Sequence, residues 1–154
     1  MKEAKELVIQ SVPREQAPMD LLLEADPSEE KVRTYLTHSH CYVAQQDGEI
    51  VGVYVLCPLK GSAMELMNIA VAPAYQGRGI GSILLRRAIT SAQHLGAKRL
   101  ELGTGSFGYQ LAFYQRAGFR VYAVERDYFL THYGEPIFEA GIQHKDRLRL
   151  ALEW

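Results

Sequence analysis

The sequence predicts a single α/β domain spanning residues 1–154, with helices packed on a mixed sheet. Three observations carry that prediction. Short apolar runs alternate with stretches whose apolar residues recur at helical spacing. One such stretch, Gly79 to Leu95, is long and amphipathic, and it follows a strand through a glycine-rich turn. No repeat, low-complexity tract or Pro/Gly/Ser-rich linker divides the 154 residues, a length that suits one core.

Leu7 to Gln10 is a short first strand. Helical stretches follow over Arg14 to Leu23 and Ser28 to Thr37, the second opened by Ser28 as N-cap with Glu29 and Glu30 in the first turn. Cys41 to Gln45 and Ile50 to Leu56 are strands joined by the hairpin signal Asp47-Gly48. Ile50 to Leu56 is apolar on both faces and therefore central. Met64 to Val71 is the next strand, stopped by Pro73. In the long helix, Ile80, Ile83, Leu84, Ala88, Ala92 and Leu95 form the apolar stripe, and Gly96 ends it. Arg99 to Leu102 is a strand, Tyr109 to Ala117 a helix closed by Gly118, and Phe119 to Val124 and Arg147 to Leu152 are the last strands.

Composition narrows the function classes. Apolar residues make up 47 % of the chain, as in a folded protein. Seventeen Lys+Arg against eighteen Asp+Glu give a net charge of -1, which argues against a dedicated nucleic-acid binder. Cys41 and Cys57 are the only cysteines, so no disulfide framework is expected. Met1 to Glu6 is polar and leads into no leader-like apolar run, and no stretch reaches the ~18 apolar residues of a membrane span. The expected location is the cytoplasm.

The turn Gln76-Gly77-Arg78-Gly79-Ile80-Gly81 carries the chemistry. A helix start offers unpaired N–H donors and a partial positive charge, and glycines let a phosphate approach the backbone. Gly77, Gly79 and Gly81 therefore describe a pyrophosphate cradle, with Arg78 and Arg86 able to add charge. The plainer alternative is a turn that only joins strand to helix. The P-loop pattern fails because no Lys-Ser/Thr pair closes it. The dinucleotide fingerprint also fails: its last glycine would fall on Ser82 or Leu84.

The full string Ile69-Ala70-Val71-x-Pro73 followed by Gln76-x-x-Gly79-x-Gly81 resembles the acetyl-CoA motif of the GNAT acetyltransferases. A second block, Tyr114-Gln115-Arg116-Ala117-Gly118-Phe119, is similar to that family's Tyr-x-Lys/Arg-x-Gly-Phe signature. The order of elements agrees from Leu7 to Leu152. The resemblance implies the acyl-CoA N-acyltransferase fold, a mostly antiparallel mixed sheet with a splayed central strand pair flanked by helices. It implies acetyl-CoA as cofactor, held by Ile69, Ala70, Val71, Gln76, Gly77, Arg78, Gly79, Ile80, Gly81, Ser82, Ser106 and Tyr114. Ser106-Phe107-Gly108 stands where the family often has an asparagine, a departure that weakens the expected contacts to the middle of the cofactor.

The implied reaction is direct attack of an amine on the thioester. Ile69 and Val71 would then pair with the pantetheine arm through their backbone, with an N–H near Ile69 polarising the carbonyl; their side chains serve core packing as well. Tyr114 occupies the general-acid position; by residue type alone a half-buried tyrosine packed on the helix C-terminus is the better explanation, and the motif reverses that order. Glu65, at the start of the same strand, aligns with the glutamate base of histone-type members and could act through water; the alternative is a solvent-facing acid on a strand end.

On the acceptor side, Asp127 to Phe138 is dense in aromatics. Aromatic walls with Asp127 and Glu135 suit a small cationic amine; a connection packing its own rings, or a contact in a homodimer, are the alternatives. His38-Ser39-His40-Cys41 lacks a distant ligand pair, so no metal is expected, and no Ser/His/Asp triad follows from spacing. The reading is an N-acetyltransferase acting on a primary amine of a small molecule. The alternatives are acetylation of a protein N-terminus or lysine, and a non-catalytic acetyl-CoA-binding module.

Overall fold

The structure, a computed structural model, describes residues 6–154. The first five residues, on which the expectation about a leader partly rests, lie outside the described residues. The chain forms two compact units, one ending at Ala97 and the other beginning at Lys98.

In the first unit, strands β1 (Val8–Val12), β2 (His40–Gln46), β3 (Glu49–Pro58) and β4 (Ala63–Val71) pair in chain order, each antiparallel to the next. Asp47 and Gly48 both take positive φ, 56° and 79°, as a tight β2–β3 hairpin needs. Helices α1 (Met19–Ala25) and α2 (Glu29–Leu36) cover one face. There Leu21, Leu22, Val32 and Leu36 pack against Cys41, Val43, Val53, Val55 and Ala70. Helix α3 (Ile80–His94) covers the other face. A Cβ on Gly52 would lie 2.7 Å from Leu84 Cδ1, so the glycine lets α3 approach β3 closely. Tyr54, fully buried, hydrogen-bonds Ser91 of α3 at 2.7 Å and stacks on Tyr42, its cross-strand partner.

One expected helix divides. Arg14 to Leu23 becomes a 3-10 turn, Arg14–Gln16, and then α1, because Pro18 lacks an N–H and holds Ala17 in an extended conformation. Ser28 caps α2 by accepting from the Lys31 N–H at 3.2 Å.

In the second unit, β9 (Arg147–Glu153) lies between β5 (Arg99–Gly105) and β6 (Arg120–Glu125), antiparallel to both. Helix α4 (Tyr109–Arg116) packs on β5. The aromatic segment is more ordered than a plain connection: it contains α5 (Tyr128–His132) and a hairpin of β7 (Phe138–Glu139) and β8 (Ile142–Gln143). Short aromatic runs have no readable period, so the sequence does not announce these pieces. Every strand pairing within each unit is antiparallel, and helices flank the strands, as the predicted fold requires. No described helix is long and apolar enough to cross a membrane.

Candidate active site

The start of α3 is open. Gly77 and Gly79 sit at φ 77° and 80°, in the left-handed region that favours glycine, and a Cβ on either would meet nothing within 4 Å. No side chain caps Gly79, and the first intrahelical bond of α3 runs from the Ile83 N–H to the Gly79 carbonyl at 3.3 Å. The amides of Ile80, Gly81 and Ser82 precede that bond. The other helices of eight residues or more differ: α2 is capped by Ser28, and the first amide of α4, on Tyr109, donates to Glu139 Oε2 at 3.3 Å. Of these three helices, α3 alone presents its positive end to solvent.

Neighbouring side chains brace the turn. Gln76 Nε2 donates to the Val71 carbonyl at 3.0 Å, tying the turn back to the end of β4. This gives Gln76 a structural role beside the expected cofactor contact. Tyr75 donates to Glu49 at 2.8 Å, and the Arg78 guanidinium lies 5.1 Å from the Tyr75 ring centroid. Arg78 and Ser82 are exposed beside the open amides. The residues therefore fit a diphosphate: a main-chain cradle, space where side chains would intrude, and a cation next to it.

On β4, Ile69, Ala70 and Val71 oppose Tyr54, Val53 and Gly52. Asn68 opposes Val55 while Leu66 opposes Leu56, so Met67 is the extra residue of a β-bulge. The bulge changes which way Glu65 faces. Glu65 opposes Cys57, two residues from Val55, and therefore shares a face with Asn68 although the two are three apart. Asn68 is buried there, donating to the Leu22 carbonyl at 3.0 Å and to the Tyr35 hydroxyl at 2.9 Å. Glu65 itself is half-buried.

Tyr114 is buried, and burial pushes its phenol above the usual tyrosine range. Its ring meets Phe119 edge-on at 6.0 Å and Phe113 at 5.3 Å. The signature around it has a local explanation. Gly118, at φ 101°, donates to the Gln115 carbonyl at 3.0 Å, and Phe119 donates to the Tyr114 carbonyl at 3.2 Å. That pair of bonds is a Schellman cap, with Tyr114 and Phe119 forming its apolar contact. Ser106 lies exposed in the turn between β5 and α4.

The Cys41 thiol is buried and pushed up to about 11 by burial, so it is no thiolate near neutral pH. Of the acceptor-side residues, Asp127 and Glu135 are exposed, while Tyr128 stacks on His132 and meets Phe129 and Tyr133 edge-on. The sequence reading missed Tyr75, Asn68, Glu139 and His144 as parts of these clusters. Each is a lone polar or aromatic residue whose partner lies far along the chain or across a turn, so spacing gives no signal.

An α/β fold with one open, glycine-headed helix start describes a protein that binds a phosphate-bearing cofactor through main-chain amides. Residues 6–119 match the acetyltransferase (GNAT) family, and the chain belongs to it. It is 47 % identical over 135 residues to the uncharacterized N-acetyltransferase YvbK of Bacillus subtilis (strain 168), covering 87 % of each chain. Among solved structures it is similar to an IAA acetyltransferase from Bacillus cereus ATCC 14579 (TM-score 0.93, 48 % identity, 97 % of this chain and 100 % of that one). It is also similar to a GNAT family acetyltransferase from Elizabethkingia anophelis with acetyl-CoA bound (TM-score 0.92, 40 % identity, 96 % and 98 % covered). The chain is an acetyl-CoA-dependent N-acetyltransferase.

Proposed function

We propose that this enzyme acetylates the primary amine of a small molecule, using the α3 turn to hold the diphosphate of acetyl-CoA. The uncapped start of α3 carries the cofactor half of the reading. Bound acetyl-CoA supplies an activated acetyl thioester. The amides of Ile80, Gly81 and Ser82, with Gly77 and Gly79 opening the way and Arg78 beside them, bind and orient the anion. The backbone of Ile69, Ala70 and Val71 aligns the arm of the cofactor, and Ser106 adds a polar contact.

Tyr114 donates its hydroxyl proton toward the leaving sulfur as negative charge grows there. The family signature around Tyr114 supports this role; burial keeps the phenol protonated and also makes it a weaker acid, a cost that is modest because a thiolate needs little help to leave. Glu65, turned onto the Asn68 face by the bulge, takes the proton an ammonium acceptor must lose, directly or through water. The exposed carboxylates Asp127 and Glu135, in the same segment as the Tyr128–His132 ring pair, favour a cationic acceptor.

The test is thiol release from acetyl-CoA across a panel of small amines, peptides with free α-amines and lysine peptides. IAA, named for the Bacillus cereus structure, belongs in the panel. Turnover on small amines is expected. Turnover confined to peptides, or acetyl-CoA binding without turnover on any acceptor, would reject the reading.

A further inference from the structure

The β7–β8 hairpin grips the turn that leads from β5 into α4. One hydrogen bond and one ring stack do this, through Glu139 and His144, which are themselves joined. His144 is buried at 7 % exposure, and its Nε2 lies 2.9 Å from Glu139 Oε1. The other carboxylate oxygen accepts the Tyr109 N–H at the start of α4. The His144 ring stacks on Phe107 with centroids 4.1 Å apart and planes 9° off parallel. Both ends of the turn are glycines pressed against this pair: a Cβ on Gly105 would sit 2.3 Å from His144 Cε1, and one on Gly108 2.3 Å from Glu139 Oε2. The hairpin is fixed in turn by the His144 N–H donating to the Ile137 carbonyl at 2.8 Å.

The chemistry of the pair is directional. Hydrogen bonds from His144 and from the Tyr109 amide hold the Glu139 carboxyl below the usual range, so it is an acceptor on both oxygens. Nε2 of His144 must then be the donor, and Nδ1 is left buried without a partner. Glu139 also fills the one anion site that α4 could offer, which leaves the start of α3 as the open one.

We infer that Glu139 and His144 are positioning residues: they set the shape of the 106–108 turn, and through it the affinity for acetyl-CoA. The inference rests on the reading that Ser106 in this turn meets the cofactor. Neither residue touches the reacting atoms. They act by fixing where Ser106 and the first turn of α4 lie, much as a second layer of hydrogen bonds orients a ligand-binding group.

The experiment compares wild type with Glu139→Gln, Glu139→Ala, His144→Phe and the double variant Glu139→Gln/His144→Phe. KM for acetyl-CoA and kcat are measured with the best acceptor, together with CoA affinity by calorimetry and thermal midpoint. Glu139→Gln keeps the size of the side chain and so keeps the fold. Loss of one charge-assisted hydrogen bond corresponds to about a tenfold change in an equilibrium constant, so KM for acetyl-CoA should rise by about that factor or more in Glu139→Ala, which loses two. Glu139→Gln should show a smaller rise, and kcat should fall less than KM rises. His144→Phe retains the stack on Phe107 but should reproduce the Glu139→Gln effect, with the double variant little worse than either single one. A purely structural pair would lower the thermal midpoint and leave KM and CoA affinity of the folded protein at wild-type values, and that result overturns the inference. Wild-type protein that fails to bind acetyl-CoA would instead sink the functional reading itself.

Discussion

Replacing Gly79 by glutamate separates the stability of the α3 turn from its proposed binding role. Gly79 has φ 80°, where an L-residue costs about 1–2 kcal/mol. No atom lies within 4 Å of the added Cβ, so there is no clash beyond that strain. A carboxylate at a helix start returns about 0.3–1 kcal/mol through the helix dipole. The net cost is therefore about 1 kcal/mol, or roughly 2–4 °C in a domain of this size. Binding suffers far more. The new carboxylate would compete for the amides of Ile80, Gly81 and Ser82 and would repel the diphosphate. Hydrogen bonds to charged groups contribute about 1.5–3 kcal/mol each, so losing two weakens binding by about 10²-fold or more. Calorimetry with acetyl-CoA and with CoA, beside thermal denaturation followed by circular dichroism, reads both quantities. Near wild-type affinity in a folded Gly79→Glu protein would show that the cofactor's diphosphate is held elsewhere.

Tyr114→Phe keeps the ring contacts with Phe113 and Phe119, so the midpoint should stay near wild type while kcat falls by about 10²-fold; an unchanged kcat would move the proton donor to solvent or another group. Acid stability should depend on Glu101: burial raises its pKa, but hydrogen bonds from Arg99, Tyr122 and Arg149 outweigh that and leave it lowered. A lowered folded-state pKa gives stability that is present above the unfolded carboxyl value of about 4.3 and is lost as pH falls through the folded value. Urea midpoints between neutral and acid pH should therefore drop less steeply in Glu101→Gln than in wild type, and parallel curves would contradict the assignment. Gly52→Val should cost about 1–3 kcal/mol by forcing Leu84 off β3, read as a lower urea midpoint; an unchanged midpoint would mean that α3 can shift without cost.

The parts of this protein that were legible in its sequence are those whose physics is local. Ser28, Asp47-Gly48, Gly96 and Gly118 each specify a cap or turn within a few residues, and each is found doing so. The β4–α3 turn belongs to the same class, since its glycines and its helix lie side by side in the chain. The break at Pro18 was equally local, yet apolar spacing on both sides hid it. What spacing could not give is pairing between distant segments. Asn68 meets Leu22 and Tyr35, and Glu101 meets Tyr122 and Arg149, across separations no period encodes. The bulge at Met67, which decides the face of Glu65, is likewise a property of two strands together.

The two motif blocks show why a signature can be read for fold and for chemistry at once. In the second block, Gly118 is required by its left-handed φ, and Phe119 and Tyr114 by the apolar contact of the cap. That cap fixes Tyr114 in the last turn of α4 and buries its ring, at the position where the proposed proton donor stands. In the first block, Gly77 and Gly79 are required by φ, and the same absence of side chains leaves the amides of α3 open. In both blocks the backbone demand comes first, and the proposed chemistry would use its by-product: a packed tyrosine in one, an uncapped helix start in the other. A substitution that satisfies the backbone but removes the by-product, as Tyr114→Phe does, should therefore leave a folded and nearly inactive protein.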